Sequence, residues 1–114
     1  MPDSCDQLRG RIRTSQAERR FLESKLMQPQ IMLAASLVER FLRTGDFPRR
    51  SPAYYLSRSA QGRSKLAYVK KEELDEVRRH CAAYRAFQQN LKQWRRVTGA
   101  LQQQWKQLQQ AQSL

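Results

Sequence analysis

The apolar positions of this chain change period along its length, and each period predicts a different element. Between residues 4 and 27, Leu8, Ile12, Ser15, Leu22 and Leu26 recur at steps of three and four or their sums, the repeat of one helix face. Ser4 or Asp3 stands where the cap of such a helix belongs. Its seam is thin: Arg9, Arg11, Arg13, Arg19, Arg20 and Lys25 crowd the other faces. Pro29 ends it, because proline lacks the helical N–H donor and pushes Gln28 toward extended backbone. A broader stripe of Ile31, Ala34, Ala35, Val38, Phe41 and Leu42 predicts a second, more apolar helix over residues 30–43, with Gly45 and Pro48 as stop signals. The pattern then shortens. Residues 53–58 and 64–69 are two aromatic or β-branched runs around a segment containing Gly62, which predicts a β-hairpin over 53–69 with a loop of about five residues. A lone hairpin is marginal in water, so this one has to pack on a helix or join a partner's sheet.

From about residue 70 a long helix is expected to run to residue 112. Glu72, Glu73, Asp75 and Glu76 occupy its first turns, where the positive end of the helix dipole favours carboxylates. Two rows then repeat every seven residues: Val77, Tyr84, Leu91, Thr98 and Trp105, and His80, Phe87, Trp94, Leu101 and Leu108. Such rows form a coiled-coil seam, weakest here at Thr98. The expected fold is mainly α with a small β-hairpin, in the order α-α-ββ-α. It is a single elongated domain of residues 1–114, an antiparallel helical hairpin or coiled coil with the β-hairpin at its tip. The first helix has too few apolar residues to cover both tryptophans. Tyr84, Phe87, Leu91, Trp94, Leu101 and Trp105 are therefore the expected seam for a second copy or a partner protein.

Composition narrows the functional classes. At 114 residues with 39% hydrophobic content and a mean hydropathy of −0.85, one domain with a narrow apolar seam is the natural reading. The chain carries 22 Lys+Arg against 10 Asp+Glu, a formal charge of +12. That surplus attracts polyanions, and arginine outnumbers lysine, whose point charge matches phosphate oxygens less well than the planar guanidinium fork. Nucleic acid, DNA or RNA, is the first expected partner and an acidic protein the second. An anionic membrane surface is third, since the first helix is ringed by arginine and its apolar face is too weak to insert. The longest apolar stretch, residues 31–35, is far too short to span a bilayer. Without a signal-like apolar segment at its start the chain is expected to be cytoplasmic, with Cys5 and Cys81 as buried, reduced thiols. His80 is the only histidine, and one histidine with two distant cysteines builds no metal site. A Gly-rich phosphate loop is also missing. The expectation is a non-enzyme without cofactor, metal or small-molecule ligand.

Positive charge concentrates in two stretches. Residues 49–71 contain Arg49, Arg50, Arg58, Arg63, Lys65, Lys70 and Lys71 and no acid, interleaved with Tyr54, Tyr55 and Tyr68. Alternation along a strand puts Tyr54, Leu56 and Arg58 on one face and Tyr55 on the other. Rings among cations suit single-stranded nucleic acid, where bases stack and guanidiniums meet phosphates; a basic hairpin also suits a duplex groove. Residues 77–114 again lack acids, and Arg78, Arg85, Lys92 and Arg96 fall near one helix face as a candidate phosphate track. The expected nucleic-acid-binding residues are Arg49, Arg50, Tyr54, Tyr55, Arg58, Arg63, Lys65, Lys70, Lys71, Arg78 and Arg85. The rival expectation is a protein-interaction adaptor or inhibitor that holds an acidic partner through the tryptophan-bearing seam.

The string Pro52-Ala53-Tyr54-Tyr55-Leu56-Ser57-Arg58, followed by Gly62-Arg63, Tyr68-Val69-Lys70-Lys71-Glu72-Glu73-Leu74, Val77-Arg78-Arg79 and Tyr84-Arg85, resembles a known pattern. It is similar to a prokaryotic family catalogued only as a domain of unknown function and often encoded near transposases and other mobile-element genes. The likeness covers residues 36–90 and implies a mobile-element context, with no established activity. Members usually carry a cysteine cluster resembling a zinc knuckle just before the tyrosine strand. Here Arg43-Thr44-Gly45-Asp46-Phe47-Pro48-Arg49-Arg50 stands in its place, so the metal-holding part of the pattern does not carry over. Arg49 and Arg50 would then meet phosphates directly.

Overall fold

A computed structural model of the protein describes residues 4–41, 43–44, 47–48 and 52–113. Within them lie two α-helices, α1 (Cys5–Leu26) and α2 (Leu74–Gln112), and five strands: β1 (Ser36–Arg40), β2 (Arg43–Thr44), β3 (Phe47–Pro48), β4 (Ala53–Ala60) and β5 (Arg63–Val69). A 3-10 turn over Lys71–Glu73 leads into α2. The protein is mainly helical with a small antiparallel sheet, as expected. The single domain expected from the sequence divides into two compact units, residues 1–29 with 87–114, and residues 30–86.

The first unit is a helix pair. Ser4 caps α1 through a capping box: its hydroxyl accepts from the Gln7 N–H at 3.2 Å while Gln7 Oε1 accepts from the Ser4 N–H at 3.0 Å. The Met27 N–H closes the other end on the Glu23 carbonyl at 2.9 Å, two residues before Pro29. Leu8 and Ile12 are buried against Leu101 and Leu108, with Cys5 at the edge of the cluster. Further along α1, Glu23 meets Trp94. Residues later in α1 thus meet residues earlier in α2, so the two helices run antiparallel.

One of the two expected seam rows is displaced. Leu101 and Leu108 are buried and Phe87 and Trp94 half-buried, as their spacing predicts. The companion row, however, is Asn90, Val97 and Gln104, one position earlier than Leu91, Thr98 and Trp105. Val97 is buried and Trp105 is 51% exposed, while Asn90, Gln104, Leu91 and Thr98 are all half-buried. Rows three behind or four behind Leu101 both satisfy a heptad, and here Val97 rather than Trp105 is the buried position. Polar atoms accompany the shift: Thr98 Oγ1 and Gln104 Oε1 are buried without a hydrogen-bond partner.

Gly99 does not interrupt α2, and a Cβ built there meets nothing within 4 Å. Gly99→Ala is therefore expected to stabilise the protein by about 0.5–1 kcal/mol through reduced unfolded-state freedom. The check is a rise of a few degrees in thermal midpoint by circular dichroism.

The second unit holds a three-stranded antiparallel sheet in the order β1-β4-β5. β1 overturns the helix expected over residues 30–43. Leu37 faces Leu56 and Val38 faces Tyr55 across the β1–β4 ladder, and the preceding residues 29–34 carry no helix. Ile31, Ala34, Ala35 and Val38 fit a helical period, but a period this short is weak beside sheet pairing. A third strand is what a marginal hairpin needs. The Leu33 N–H donates to the His80 carbonyl at 3.1 Å, tying the segment before β1 to α2. Backbone pairing of β2 with β3 sets Arg43 opposite Pro48 and Thr44 opposite Phe47.

The hairpin connection is also tighter than expected. β4 and β5 pair up to Ala60 and Arg63, leaving a two-residue turn, Gln61-Gly62, with φ of 53° and 75°. Two successive positive φ angles mark the type I′ turn, whose twist matches that of the strands. Gly62 meets this requirement without a Cβ penalty, whereas Gln61 adopts it despite one.

Candidate nucleic-acid interface

The turn fixes the register, and the register sorts the side chains. Tyr54, Leu56 and Arg58 stand opposite Val69, Ala67 and Lys65, while Ala60 stands opposite Arg63. Directly paired residues share a face. One face therefore carries Tyr54, Leu56, Arg58, Arg63, Lys65 and Val69, with Leu37 and Glu39 contributed by β1. The other carries Tyr55, Ser57, Tyr68, Leu66, Val38 and Arg40.

The two faces are used differently. On the first, the Arg78 guanidinium of α2 lies 5.2 Å from the centroid of the Tyr54 ring, so this face looks toward the helix. On the second, Tyr55 and Tyr68 meet edge to face, with centroids 5.8 Å apart and planes at 70°. Arg40 lies 6.0 Å over Tyr55. Tyr68 is 61% exposed and Leu66 46% exposed. The Tyr68 ring is open to solvent, whereas Tyr55 is half-buried.

At the turn end of the sheet, Arg58 and Lys65 occupy directly opposed positions and Arg63 lies two residues from Lys65. All three are exposed. Like charges directly opposite one another destabilise a ladder, by roughly 0.2–1 kcal/mol. Ion pairs such as Asp6 with Arg9 and Glu23 with Arg19 lie within α1, and among the described residues no carboxylate pairs with Arg58, Arg63 or Lys65. At the opposite end of β5, Lys70 and Lys71 are exposed where the sheet passes into α2. Lys71 lines a cavity of about 360 Å³ together with Ala53, Tyr54, Tyr68, Val69 and Leu74.

Of the residues expected to grip nucleic acid, the structure groups Arg58, Arg63 and Lys65 in one cluster and sets Lys70 and Lys71 at the other end of the hairpin. Arg78 is engaged with Tyr54, and Arg85 is exposed on α2. Arg49 and Arg50 lie outside the described residues. Arg40 and Tyr68 were missed as site residues. The Gln61-Gly62 turn is the signal that would have found Tyr68, because folding the chain there places it opposite Tyr55.

Two residues of the expected partner seam, Leu101 and Trp94, meet α1 within the chain. Leu101 packs on Leu8 and Ile12. The Trp94 indole N–H donates to Glu23 Oε1 at 2.9 Å, the same oxygen that accepts from Arg19 at 3.1 Å, and the Arg19 guanidinium lies 5.2 Å over the indole. Of the two tryptophans Trp105 is the more exposed, beside a cavity of about 190 Å³ lined by Arg9, Ile12, Arg13, Gln16 and Leu108.

Among the described residues, no group of three His, Cys, Asp or Glu converges in a way that could hold a metal ion. Nor is any helix among them long and apolar enough to cross a membrane. Comparison with protein-family models, with curated proteins and with solved structures returned no match to this chain.

Proposed function

We propose that the protein is a non-catalytic nucleic-acid-binding accessory or regulatory protein whose basic hairpin contacts phosphates. The observation that carries this reading is the opposed Arg58–Lys65 pair with Arg63 beside it, a cluster that costs the sheet stability and lacks a carboxylate among the described residues. A polyanion relieves that repulsion. The formal charge of +12 adds long-range attraction for the same class of partner. A role alongside a transposase or another mobile-element nuclease rests on the resemblance of residues 36–90 alone.

The experiment is fluorescence anisotropy with labelled duplex DNA, single-stranded DNA and structured RNA across a salt series. Three phosphate contacts predict a log–log slope near −2.7 on duplex and about −2 on a single strand. A slope indistinguishable from zero on every substrate, or the absence of binding at low salt, sinks the proposal.

A second reading has one observation in its favour. Trp105 stays half-exposed beside the cavity formed with Arg9, Ile12 and Arg13, an apolar surface among cations suited to an acidic protein partner. For an adaptor of that kind Trp105→Ala abolishes partner binding, while the hairpin substitutions leave it intact.

A further inference from the structure

We propose that the Tyr55–Tyr68 face of the sheet, with the cavity beside Lys71, is a base-binding subsite for single-stranded nucleic acid. The inference rests on the nucleic-acid reading above and names the form of the ligand. A duplex keeps its base faces stacked inside and offers only edges and phosphates to a protein; a single strand can splay a base onto an aromatic ring. Three observations fit a splayed base. Tyr68 exposes 61% of its surface near the end of the edge strand β5, where its ring is fixed edge-on to Tyr55. The cavity of about 360 Å³ beside that ring is bounded by Ala53, Val69 and Leu74, giving apolar walls next to a π surface. Its volume lies in the range of small-ligand pockets, about 300–1,000 Å³. Lys71 supplies an ammonium at the same cavity, and Arg40 flanks the other ring.

The charge of the surroundings agrees. Glu72 and Glu73 follow Lys71 in the 3-10 turn but do not line the cavity. Glu39 is paired with Tyr54, which lines the cavity, but is not itself part of its wall. A base stacked on Tyr68 thus has a cation for its phosphate and no carboxylate in the cavity wall. The Arg58, Arg63 and Lys65 cluster sits at the other end of the same hairpin and on the opposite face from Tyr68, where it can hold the backbone of a strand that crosses the β5 edge of the sheet.

The test compares a labelled twelve-nucleotide oligothymidylate with a labelled duplex of the same length, using the full chain at fixed salt. Tyr68→Ala is expected to weaken single-strand binding about 10-fold or more, the scale of one lost base–aromatic stack, and to leave duplex binding within about 2-fold. Tyr68→Phe keeps the ring and should keep the affinity. Lys71→Gln, exposed and outside any ladder, should lower single-strand affinity several-fold without touching the fold. Unchanged single-strand affinity in both Tyr68→Ala and Lys71→Gln overturns the subsite, as does an equal loss on duplex and single strand. In either case nucleic-acid binding itself stands, provided the wild-type protein still binds with a steep salt slope. Failure of the wild-type protein to bind any strand removes both proposals.

Discussion

Leu101→Ala should destabilise the protein by about 3 kcal/mol, the middle of the range for truncating a buried leucine. Leu101 is 4% exposed and packs with Leu8, Ile12 and Leu108 in a helix pair whose other seam positions include Asn90 and Gln104. So few aliphatic side chains close this seam that a cavity here cannot be refilled by a neighbour, and the loss is a large share of the 5–15 kcal/mol typical of a domain. Trp105→Ala is the internal comparison. Its ring is larger, but half of it already faces solvent, so the cost should stay below that of Leu101→Ala. Chemical denaturation read by circular dichroism measures both. The reverse order would restore the seam through Leu91, Thr98 and Trp105 and remove the one described above.

The second large effect has opposite signs in two assays. Replacing Arg58 and Lys65 together by threonine removes the opposed like charges and substitutes a favourable cross-strand pair. Stability should rise by about 0.5 kcal/mol. Nucleic-acid affinity should fall by about 50-fold at 100 mM salt, with the salt slope shallower by about 1.8, because two phosphate contacts are lost. A ladder whose cations serve only to keep the protein in solution gains the same stability and loses no affinity. Measuring both quantities on one variant therefore separates a binding surface from a solvated one, and unchanged affinity would count against the proposed function.

Much of the fold is legible in the sequence where the pattern is long or chemically specific. The capped start of α1, its end before Pro29, and the run of α2 to Gln112 follow from Ser4, the proline and a sustained repeat. The segment around β1 was not legible. Leu37 and Val38 have apolar neighbours that fit a helix, and only their pairing with Leu56 and Tyr55, some twenty residues away, selects the strand. The displaced seam has a related cause: Trp105 and Leu91 look better suited to a core than Asn90 and Gln104, but rotation of a helix about its axis is set by the partner helix. At the candidate site, Arg58, Arg63 and Lys65 could be named from charge alone. Their opposition across the ladder, and the use of Tyr68 rather than Tyr54 as the open ring, depended on the register set by Gln61-Gly62.

The division of the chain also dictates an order of events during synthesis. Residues 30–86 form one unit from contiguous sequence, with a hairpin closed by a two-residue turn, whereas α1 belongs to a unit completed only by residues 87–114. Leu8 and Ile12 thus wait for Leu101 and Leu108, about ninety residues later in translation, which at typical elongation rates is roughly 5–20 s. Throughout that interval α1 is a strongly basic segment whose apolar stripe has no mate. The sheet unit can be in place before it, and the nascent chain is then a folded basic hairpin preceded by an unpaired cationic helix, the species that a ribosome-associated chaperone would meet.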